Sequence, residues 1–250
     1  MFTRLLIGLD GSPGADEALE QAVALSRRFG STLVVAHVRE GQAGRAGEDG
    51  AAMLERAGER VRAAGLKVET ALRDGDPDTE LAALAKESDA VLVGRRGGTS
   101  CEGELGATVS SLIKIAERCV IVCGSKPSPM DACAVAYDGR ETSRRALELA
   151  ARFASIAHST VHIIHATIDR AAGLQVVGEA EAVLSLQGVT FVTHIESGTP
   201  GEVVARVVAR TKCDALFAGA HITHGRDSKV TLSHAEQILR QTDIPVVVQP

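Results

Sequence analysis

The 250-residue chain contains no tryptophan, one tyrosine and five phenylalanines, although 45% of its residues are hydrophobic. A core of that composition is ordinary for a globular protein, but alanine, valine, leucine and isoleucine must build it. The chain also lacks a long run of like charges, and its net charge of −5 argues against a broad surface for nucleic acid or anionic membranes. A phosphate-bearing ligand would therefore need backbone donors at a local site.

No apolar run approaches the roughly 18 residues of a membrane-spanning helix. The opening segment MFTRLLIGLD reaches Asp10 too early for a signal peptide, so we expect a cytoplasmic protein. The five cysteines are an odd number without the spacing of a disulfide framework. Cys119 and Cys123 would lie about 13 Å apart along one strand, which predicts free, buried thiols.

An internal repeat divides the sequence into two units. The segment LLIGLDG matches CAVAYDG without a gap through the following helix and strand, and this aligns Asp10 with Asp138. Further on, GDPDTELAALAKESDAVLVG matches GTPGEVVARVVARTKCDALFAG. The proline- and serine-containing stretch GSKPSPMDA separates the copies, which predicts domains at 1–125 and 132–250.

Each unit alternates short apolar runs with segments of helical periodicity. In the first unit, LLIGL, TLVVAHV, KVETAL, AVLVG and CVIVC predict five strands with helices between them. Continuous apolar strands of this kind are typical of sheets that are buried on both faces. The pattern therefore predicts an α/β fold of two repeated, open, twisted five-stranded parallel sheets with helices on both faces.

A glycine-rich stretch, VGRRGGTSCEGELGATVSS, follows the fourth predicted strand and leads into a helix. Ligands of open α/β sheets bind outside the carboxyl ends of the strands, where Asp10 and Val38 are also expected. N–H groups at a helix N-terminus favour phosphate, and hydroxyl groups of Thr108, Ser110 and Ser111 could add donors. The glycine count alone leaves a phosphate site and a disordered connector equally good interpretations, because the stretch fits neither the Walker pattern nor GxGxxG after the first strand.

Several motifs together resemble the universal stress protein family, over essentially the whole of each unit. They are the start LLIGLDGS, the AHV that ends the second strand, the turn Gly75-Asp76-Pro77 and the segment DAVLVGRRG. The resemblance implies a Rossmann-like fold of the adenine-nucleotide alpha-hydrolase type. It also implies an ATP-binding, stress-response module of the cytosol.

The resemblance assigns the ATP site to the first unit. The residues concerned, including a loop arginine that adds positive charge, are Asp10, Val38, Gly94, Arg96, Gly97, Gly106, Ala107, Thr108 and Val109. Asp10 would contact the adenosine part, Val38 the adenine, and the loop residues the phosphates. The family's pattern has a glycine where this chain has Ala107, and Gly106 lies one residue early. If that position required a positive φ, alanine would cost roughly 1 kcal/mol or more, yet it would keep its N–H donor.

The second unit departs further from the family's pattern. Gly219 and Asp138 are retained, but Ile222 stands where the first unit has Gly97. Because a bulky side chain would block the approach of backbone to phosphate, we expect a degenerate site in the second unit.

A histidine cluster in the second unit raises the alternative of a metal site. His221, His224, His234 and Asp227 could bind zinc, but no helix fixes the first two on one face and no cysteine joins them. Scattered histidines of a solvated loop are the simpler interpretation, and we expect no metal centre there.

Acidic residues in the first unit also have two interpretations. Asp76, Asp78 and Glu80 fit the charged first turn of a helix better than a Mg²⁺ site. Glu102 and Glu104 could approach a nucleotide-bound Mg²⁺, although pairing with the nearby arginines is the simpler interpretation. The expected cofactor is therefore ATP, with or without Mg²⁺.

In the family the fifth strands pair between subunits, which implies that CVIVC and VVVQP pair within this chain as an intramolecular pseudo-dimer. A homodimer of the whole chain and an unidentified protein partner stay open. The expected function is a nucleotide-responsive module without catalytic residues. A slow ATPase would need a water-positioning residue near the γ-phosphate, for which the sequence offers no candidate. A nucleotide-free structural protein is the third interpretation.

Overall fold

The computed structural model describes residues 1–40, 50–97, 105–220 and 234–250. The chain divides into two compact units, Met1–Pro127 and Ser128–Pro250. Within the described ranges, each unit alternates five strands with four helices. The predicted α/β fold is therefore confirmed.

The elements of the two units follow the same order along the chain. In the first unit they are β1 (Arg4–Leu9), α1 (Pro13–Phe29), β2 (Thr32–Arg39), α2 (Gly50–Ala63), β3 (Val68–Asp74), α3 (Pro77–Ala85), β4 (Ala90–Val93), α4 (Ala107–Ile115) and β5 (Cys119–Val122). In the second unit they are β6 (Cys133–Ala136), α5 (Glu141–Ala157), β7 (Val161–Ala166), α6 (Arg170–Leu186), β8 (Phe191–Glu196), α7 (Pro200–Thr211), β9 (Ala215–Gly219), α8 (His234–Gln241) and β10 (Val246–Gln249).

The strand order in the first unit is β3-β2-β1-β4-β5, and these neighbours pair in parallel. The second unit has the equivalent order β8-β7-β6-β9-β10. Right-handed crossovers place α1 and α2 on one face of the first sheet and α3 and α4 on the other. The chain changes direction between β1 and β4, and this is the topological switch point at which such sheets bind ligands.

The inner strands such as β1, β4 and β5 are buried on both faces, as their apolar sequences predict, whereas the edge strands β3 and β8 are mostly half-buried or exposed. Leu5, Leu6 and Ile7 of β1 have no exposed surface at all. The core is mainly aliphatic, although Phe2, Tyr137, Phe153 and Phe217 are also buried. The ring centroids of Phe153 and Phe217 lie 5.1 Å apart in the second unit. Leu19, Met53 and Leu81, one from each of the first three helices, are also buried.

The cysteines that the structure describes are free and buried, as predicted. Burial raises the pKa of Cys119 and of Cys123 to about 12, because a thiolate loses its hydration in the apolar core. Cys101 lies outside the described residues. Among the described helices, none is long and apolar enough to cross a membrane.

The turn from β1 into α1 depends on the sequence Asp-Gly-Ser-Pro. Gly11 has φ 77°, and the aligned Gly139 has φ 79°, in the left-handed region that favours glycine. The side chain of Ser12 then accepts a hydrogen bond from the N–H of Ala15, and Pro13 takes the first helical position. This turn brings the first residues of α1 back over the end of β1.

Candidate functional site

The candidate site lies at the switch point of the first unit, where β1 and β4 run side by side in parallel. Asp10 directly follows β1, and Gly94 directly follows β4. The loop from Gly94 leads to α4, so a carboxylate, a glycine-containing loop and a helix N-terminus meet at one edge of the sheet. The fold therefore brings together residues that lie far apart in the sequence.

Asp10 connects the end of β1 with the loop after β4. Its Oδ1 accepts hydrogen bonds from the backbone N–H and the hydroxyl of Ser12, at 2.9 and 2.5 Å. Its Oδ2 faces Gly97, so closely that a methyl group on that residue would lie 2.8 Å from it. Glycine at position 97 thus allows the loop backbone to lie close to one oxygen of the carboxylate.

Gly94 has a packing role that needs no ligand. A methyl group on Gly94 would meet the carbonyl carbon and oxygen of Gly14, and it would lie 2.9 Å from the Cα of Gly14 in the first turn of α1. The second unit repeats this contact, because a methyl group on Gly219 would meet Thr142 and lie 2.6 Å from the backbone nitrogen of Ser143. Glycine is needed at both positions because a helix turn approaches the strand end. The phosphate role of Gly94 therefore stays a prediction.

Helix α4 begins at Ala107, with Gly106 as its N-cap residue. The N–H of Gly106 donates to the carbonyl of Arg95 at 3.1 Å, which ties the two ends of the loop together. The N–H of Ser110 donates to the carbonyl of Gly106 at 3.0 Å. The bond from Ser110 is the first one within the helix. The N–H groups of the three helical residues before it have no carbonyl partner within the helix, and they point out of its end. Among the described residues no side chain caps this end, whereas Ser12 caps α1.

Ala107 fits this position without strain. It lies in helical backbone as the first residue of α4, and Gly106 before it has φ −58°. The cost that a positive φ would have imposed on Ala107 therefore does not arise. Ala107 is exposed and Thr108 is half-buried, but Val109 is only 3% exposed. The side chain of Val109 belongs to the core, so this residue can offer a ligand only its backbone.

Val38 lies one residue before the end of β2 and is 8% exposed. The neighbouring His37 donates a hydrogen bond from Nδ1 to the carbonyl oxygen of Leu9, at 2.8 Å. His165 makes the same contact with the carbonyl of Tyr137 in the second unit, also at 2.8 Å. Both histidines connect neighbouring strand ends, which is a structural role.

The hydroxyl of Ser111, suggested by the sequence as a phosphate donor, is bonded elsewhere. It donates to Oδ2 of Asp78 in the first turn of α3, and this bond lowers the pKa of Asp78. Asp78 also accepts a hydrogen bond from the N–H of Thr79 at 2.8 Å. The Asp78 carboxylate thus joins α3 to α4. Across the parts of the chain that the structure describes, no three metal-ligating side chains form a cluster.

Several predicted residues lie outside the described residues. They are Glu102, Glu104, His221, Ile222, His224 and Asp227, together with the side chain of His234. The zinc and Mg²⁺ alternatives that depend on them stay predictions. Arg96, by contrast, is described and exposed, next to Gly97.

The equivalent carboxylate of the second unit has a different environment. Oδ1 of Asp138 accepts a hydrogen bond from the N–H of Arg140 at 3.0 Å, as Asp10 does from Ser12. However, the Arg140 guanidinium also lies 3.5 Å from Oδ2 of Asp138. The second unit therefore places a cation beside the carboxylate, at the position where the first unit has a serine.

Sequence reasoning missed two residues of the first site, Ser12 and Gly14. Ser12 holds the Asp10 carboxylate, and Gly14 lets the carbonyl of Arg96 approach, since a methyl group there would lie 2.6 Å from that oxygen. A signal was present in the repeat, because the aligned residues of the second unit are Arg140 and Thr142. The contrast between the copies would have indicated both positions.

The fold and the site together define a doubly wound α/β protein with a carboxylate, a close glycine and a helix N-terminus at its switch point. The model of the universal stress protein family matches residues 1–124 and 166–250. The chain therefore belongs to the universal stress protein family, with two matched segments in tandem.

One curated relative is similar in sequence, and two solved structures are similar in fold. Universal stress protein Slr1230 of Synechocystis sp. is 27% identical over 169 residues, which cover 66% of this chain and 58% of that protein. A universal stress protein from Archaeoglobus fulgidus has the same fold, with a TM-score of 0.77, 23% identity, and coverage of 98% of this chain and 97% of its own. A functionally unknown protein from Pseudomonas aeruginosa is also similar in fold, with a TM-score of 0.73, 16% identity, and coverage of 99% and 92%.

Proposed function

We propose that this chain is a nucleotide-responsive module that binds ATP, with or without Mg²⁺, in its first unit only. The observation that carries the proposal is the group formed by Asp10, Gly97 and the N-terminus of α4. One oxygen of the exposed carboxylate lies close to the backbone of Gly97, and a helix end without a side-chain cap among the described residues follows along the same loop. A ribose hydroxyl would donate a hydrogen bond to the carboxylate oxygen, and a phosphate would accept hydrogen bonds from the N–H groups of the helix end.

The residues present fit a nucleotide. The N–H groups of Ala107, Thr108 and Val109 would donate to phosphate oxygens, with support from the helix dipole and from the Thr108 hydroxyl. Oδ2 of Asp10 would accept from a hydroxyl of the ribose, while Ser12 holds Oδ1 in place. The exposed Arg96 would add a cation near the phosphates. Val38, at the end of β2, would contact the adenine.

The second unit argues for one nucleotide per chain. The Arg140 guanidinium lies beside Asp138 and would compete with a ribose hydroxyl for the carboxylate. We therefore propose a structural or regulatory role for the second unit. We also propose a cytoplasmic module that acts by binding rather than by catalysis, with its fifth strands paired as the sequence analysis expects.

The test compares two matched variants, Asp10→Asn and Asp138→Asn, by isothermal titration with ATP. Asparagine keeps an oxygen that can accept from the residue two positions on, so each turn should stay intact. We expect Asp10→Asn to weaken ATP binding about tenfold, the cost of roughly one charged hydrogen bond. Asp138→Asn should bind as the wild type does.

Native absorbance gives an independent readout, because a chain with no tryptophan and one tyrosine absorbs weakly in the near ultraviolet. Co-purified adenine nucleotide would dominate that spectrum. A wild-type chain that shows neither adenine absorbance nor heat on ATP titration would refute the proposal and favour the nucleotide-free interpretation. Phosphate release above that of a Gly97→Val variant would favour the ATPase interpretation.

A further inference from the structure

Four polar side chains of the second unit form a chain of hydrogen bonds from the outer strands of the sheet to helix α7. His162 of β7 and His194 of β8 are half-buried, and their rings stack with the centroids 5.2 Å apart. Nδ1 of His162 lies 3.0 Å from Nε2 of His194, and Nδ1 of His194 lies 3.3 Å from Nη2 of Arg210 on α7. Nη2 of Arg210 also donates to Oε1 of Glu196 on β8, at 2.6 Å. We call these four residues the histidine latch.

The direction of each hydrogen bond in the histidine latch follows from the arginine, because a guanidinium group can only donate. Nδ1 of His194 therefore accepts from Arg210, and a neutral His194 carries its proton on Nε2. That N–H group donates to Nδ1 of His162, which accepts and carries no proton itself. The geometry thus fits two neutral histidines, each with its Nδ1 atom used as an acceptor.

A further proton on either ring breaks one of these bonds. On Nδ1 of His194 it would face the guanidinium of Arg210, and on Nδ1 of His162 it would face the N–H of His194. A change of tautomer in His194 would restore the second contact but lose the first. Two donors would then meet where a donor and an acceptor stood, and the new imidazolium would lie near a cation.

The charged groups around the two histidines come from α7 and β8. Arg206 and Arg210 both donate to Glu196, so two guanidinium groups already share the carboxylate that could balance a new positive charge. On the opposite face of the sheet, Glu181 of α6 accepts from Thr193. The next strand inwards, β6, pairs with β7 through uncharged residues. The surroundings therefore favour the neutral form of both rings.

The pKa values of the two histidines agree with this geometry. Burial lowers the pKa of His162 and that of His194. The neighbouring His162 and Arg210 lower the pKa of His194 further, against the opposing effect of Glu196.

The first unit has apolar residues at the same sheet positions. Strand pairing places Val34 and Ala71 where the second unit has His162 and His194. The residue aligned with Arg210 is Glu87. The fold is therefore built at these positions without histidine, and the histidine latch is a property of the second unit alone.

We propose that the histidine latch is a proton-sensitive contact that holds α7 against the outer strands of the second sheet at neutral pH and loosens it on acidification. The second unit, to which the proposed function assigns no nucleotide, thus has the proton as its own ligand. This inference is independent of ATP binding in the first unit.

The pH range of the effect follows from the direction of the pKa shifts. Because the folded pKa values of both histidines are lowered, their contribution to stability is fully present above the unfolded value near 6.5. It is lost as the pH falls below that value and through the lower folded values. The carboxylate of Glu196 stays ionised over this range, because its own pKa is also lowered.

Hydrogen exchange of the full chain, followed by mass spectrometry between about pH 7.5 and about pH 5, tests the proposal. After correction for the intrinsic exchange rate, the protection of the α7 amides should fall at least about fivefold on acidification, the effect of roughly one hydrogen bond. Helix α3, the counterpart of α7, is the control within the same molecule and should keep its protection.

The matched variant replaces both histidines by the residues of the first unit, as His162→Val with His194→Ala. It should retain its α7 protection on acidification. His158→Asn is the control, because His158 is exposed and has φ 52°, a conformation that asparagine tolerates, and it should behave as the wild type does. If the double variant does not fold, His162→Gln serves instead, since it keeps an acceptor for His194 and should lose less protection than the wild type.

Nitrogen-15 NMR of the imidazole rings is a second readout, which a merely structural role would not determine. At about pH 7.5, His162 and His194 should both carry their proton on Nε2. A His194 with its proton on Nδ1 would overturn the proposal. Protection of α7 that stays constant with pH in the wild type, or a loss that the double variant shares in full, would overturn it as well.

Discussion

Gly94 and Gly97 lie three residues apart in one loop, but the structure requires glycine at the two positions for different reasons. A methyl group on Gly94 would press against the backbone of Gly14, and neither backbone can move without shifting β4 or α1. Overpacking of this kind typically costs about 1–3 kcal/mol. We therefore expect Gly94→Ala to lower the free energy of unfolding of the first unit by about 2–3 kcal/mol. For a unit of this size, that loss lowers the melting temperature by roughly 10 °C.

Gly97→Ala should have the opposite profile. Among the described residues its methyl group would meet Oδ2 of Asp10 and no backbone atom, so the stability should change by less than about 1 kcal/mol. The same methyl group would fill the space beside the carboxylate, and we expect ATP affinity to fall about tenfold. We therefore expect the substitution at Gly94 to lower stability and the substitution at Gly97 to lower ATP affinity.

Differential scanning calorimetry and ATP titration of both variants measure the two effects. Calorimetry suits a chain of two units, because they can unfold in separate transitions. Gly219→Ala is the matched control, since it creates the same backbone clash in the second unit and should leave ATP binding intact. The reasoning fails if Gly94→Ala melts at the wild-type temperature, or if Gly97→Ala destabilises the first unit as much as Gly94→Ala does.

Two further predictions concern the second unit. Thr199→Ala should destabilise it by about 1 kcal/mol in urea unfolding, because Thr199 caps α7 in a capping box. The equivalent Asp76→Ala should cost less, since Asp76 makes no side-chain cap bond to α3, and equal losses would contradict this assignment. Hydrogen bonds from Arg210 and then Arg206 lower the pKa of Glu196. Its contribution to stability is therefore present above the unfolded pKa near 4.3 and is lost as the pH falls through the lower folded value. Glu196→Gln should destabilise the chain at pH 7, with a difference that shrinks on acidification; a pH-independent difference would contradict this.

The order of the elements could be predicted from the sequence because the strands are continuous apolar runs. LLIGL and CVIVC stand out as apolar runs from the sequence around them. They coincide closely with β1 and β5. Periodicity likewise identified the buried sides of the helices. Strand order could not be derived in this way, since it depends on which crossovers pack well, and it became known only from the structure.

The candidate site was only partly predictable from the sequence. The carboxylate Asp10 and the glycine loop were identified because a motif carries them. The contact between Gly94 and Gly14 was not identified, because the close approach of two backbones cannot be recognised from the sequence of either segment alone. The bond from Ser111 to Asp78 was also missed, since it joins helices that follow different strands.

The sequences of the two units differ at positions where the fold places the fewest restrictions on the residue type. Gly94 and Gly219 both accommodate a helix turn, and Asp10 and Asp138 both accept the N–H two residues on, so the fold explains why these residues recur. Among the described residues, position 97 by contrast approaches the Asp10 carboxylate and no backbone, and the second unit has isoleucine at the aligned position. Residues shared by the repeats therefore carry little information about a ligand. The differences between the repeats are more informative about a ligand. Arg140 in place of Ser12 is the difference that most directly opposes nucleotide binding in the second unit.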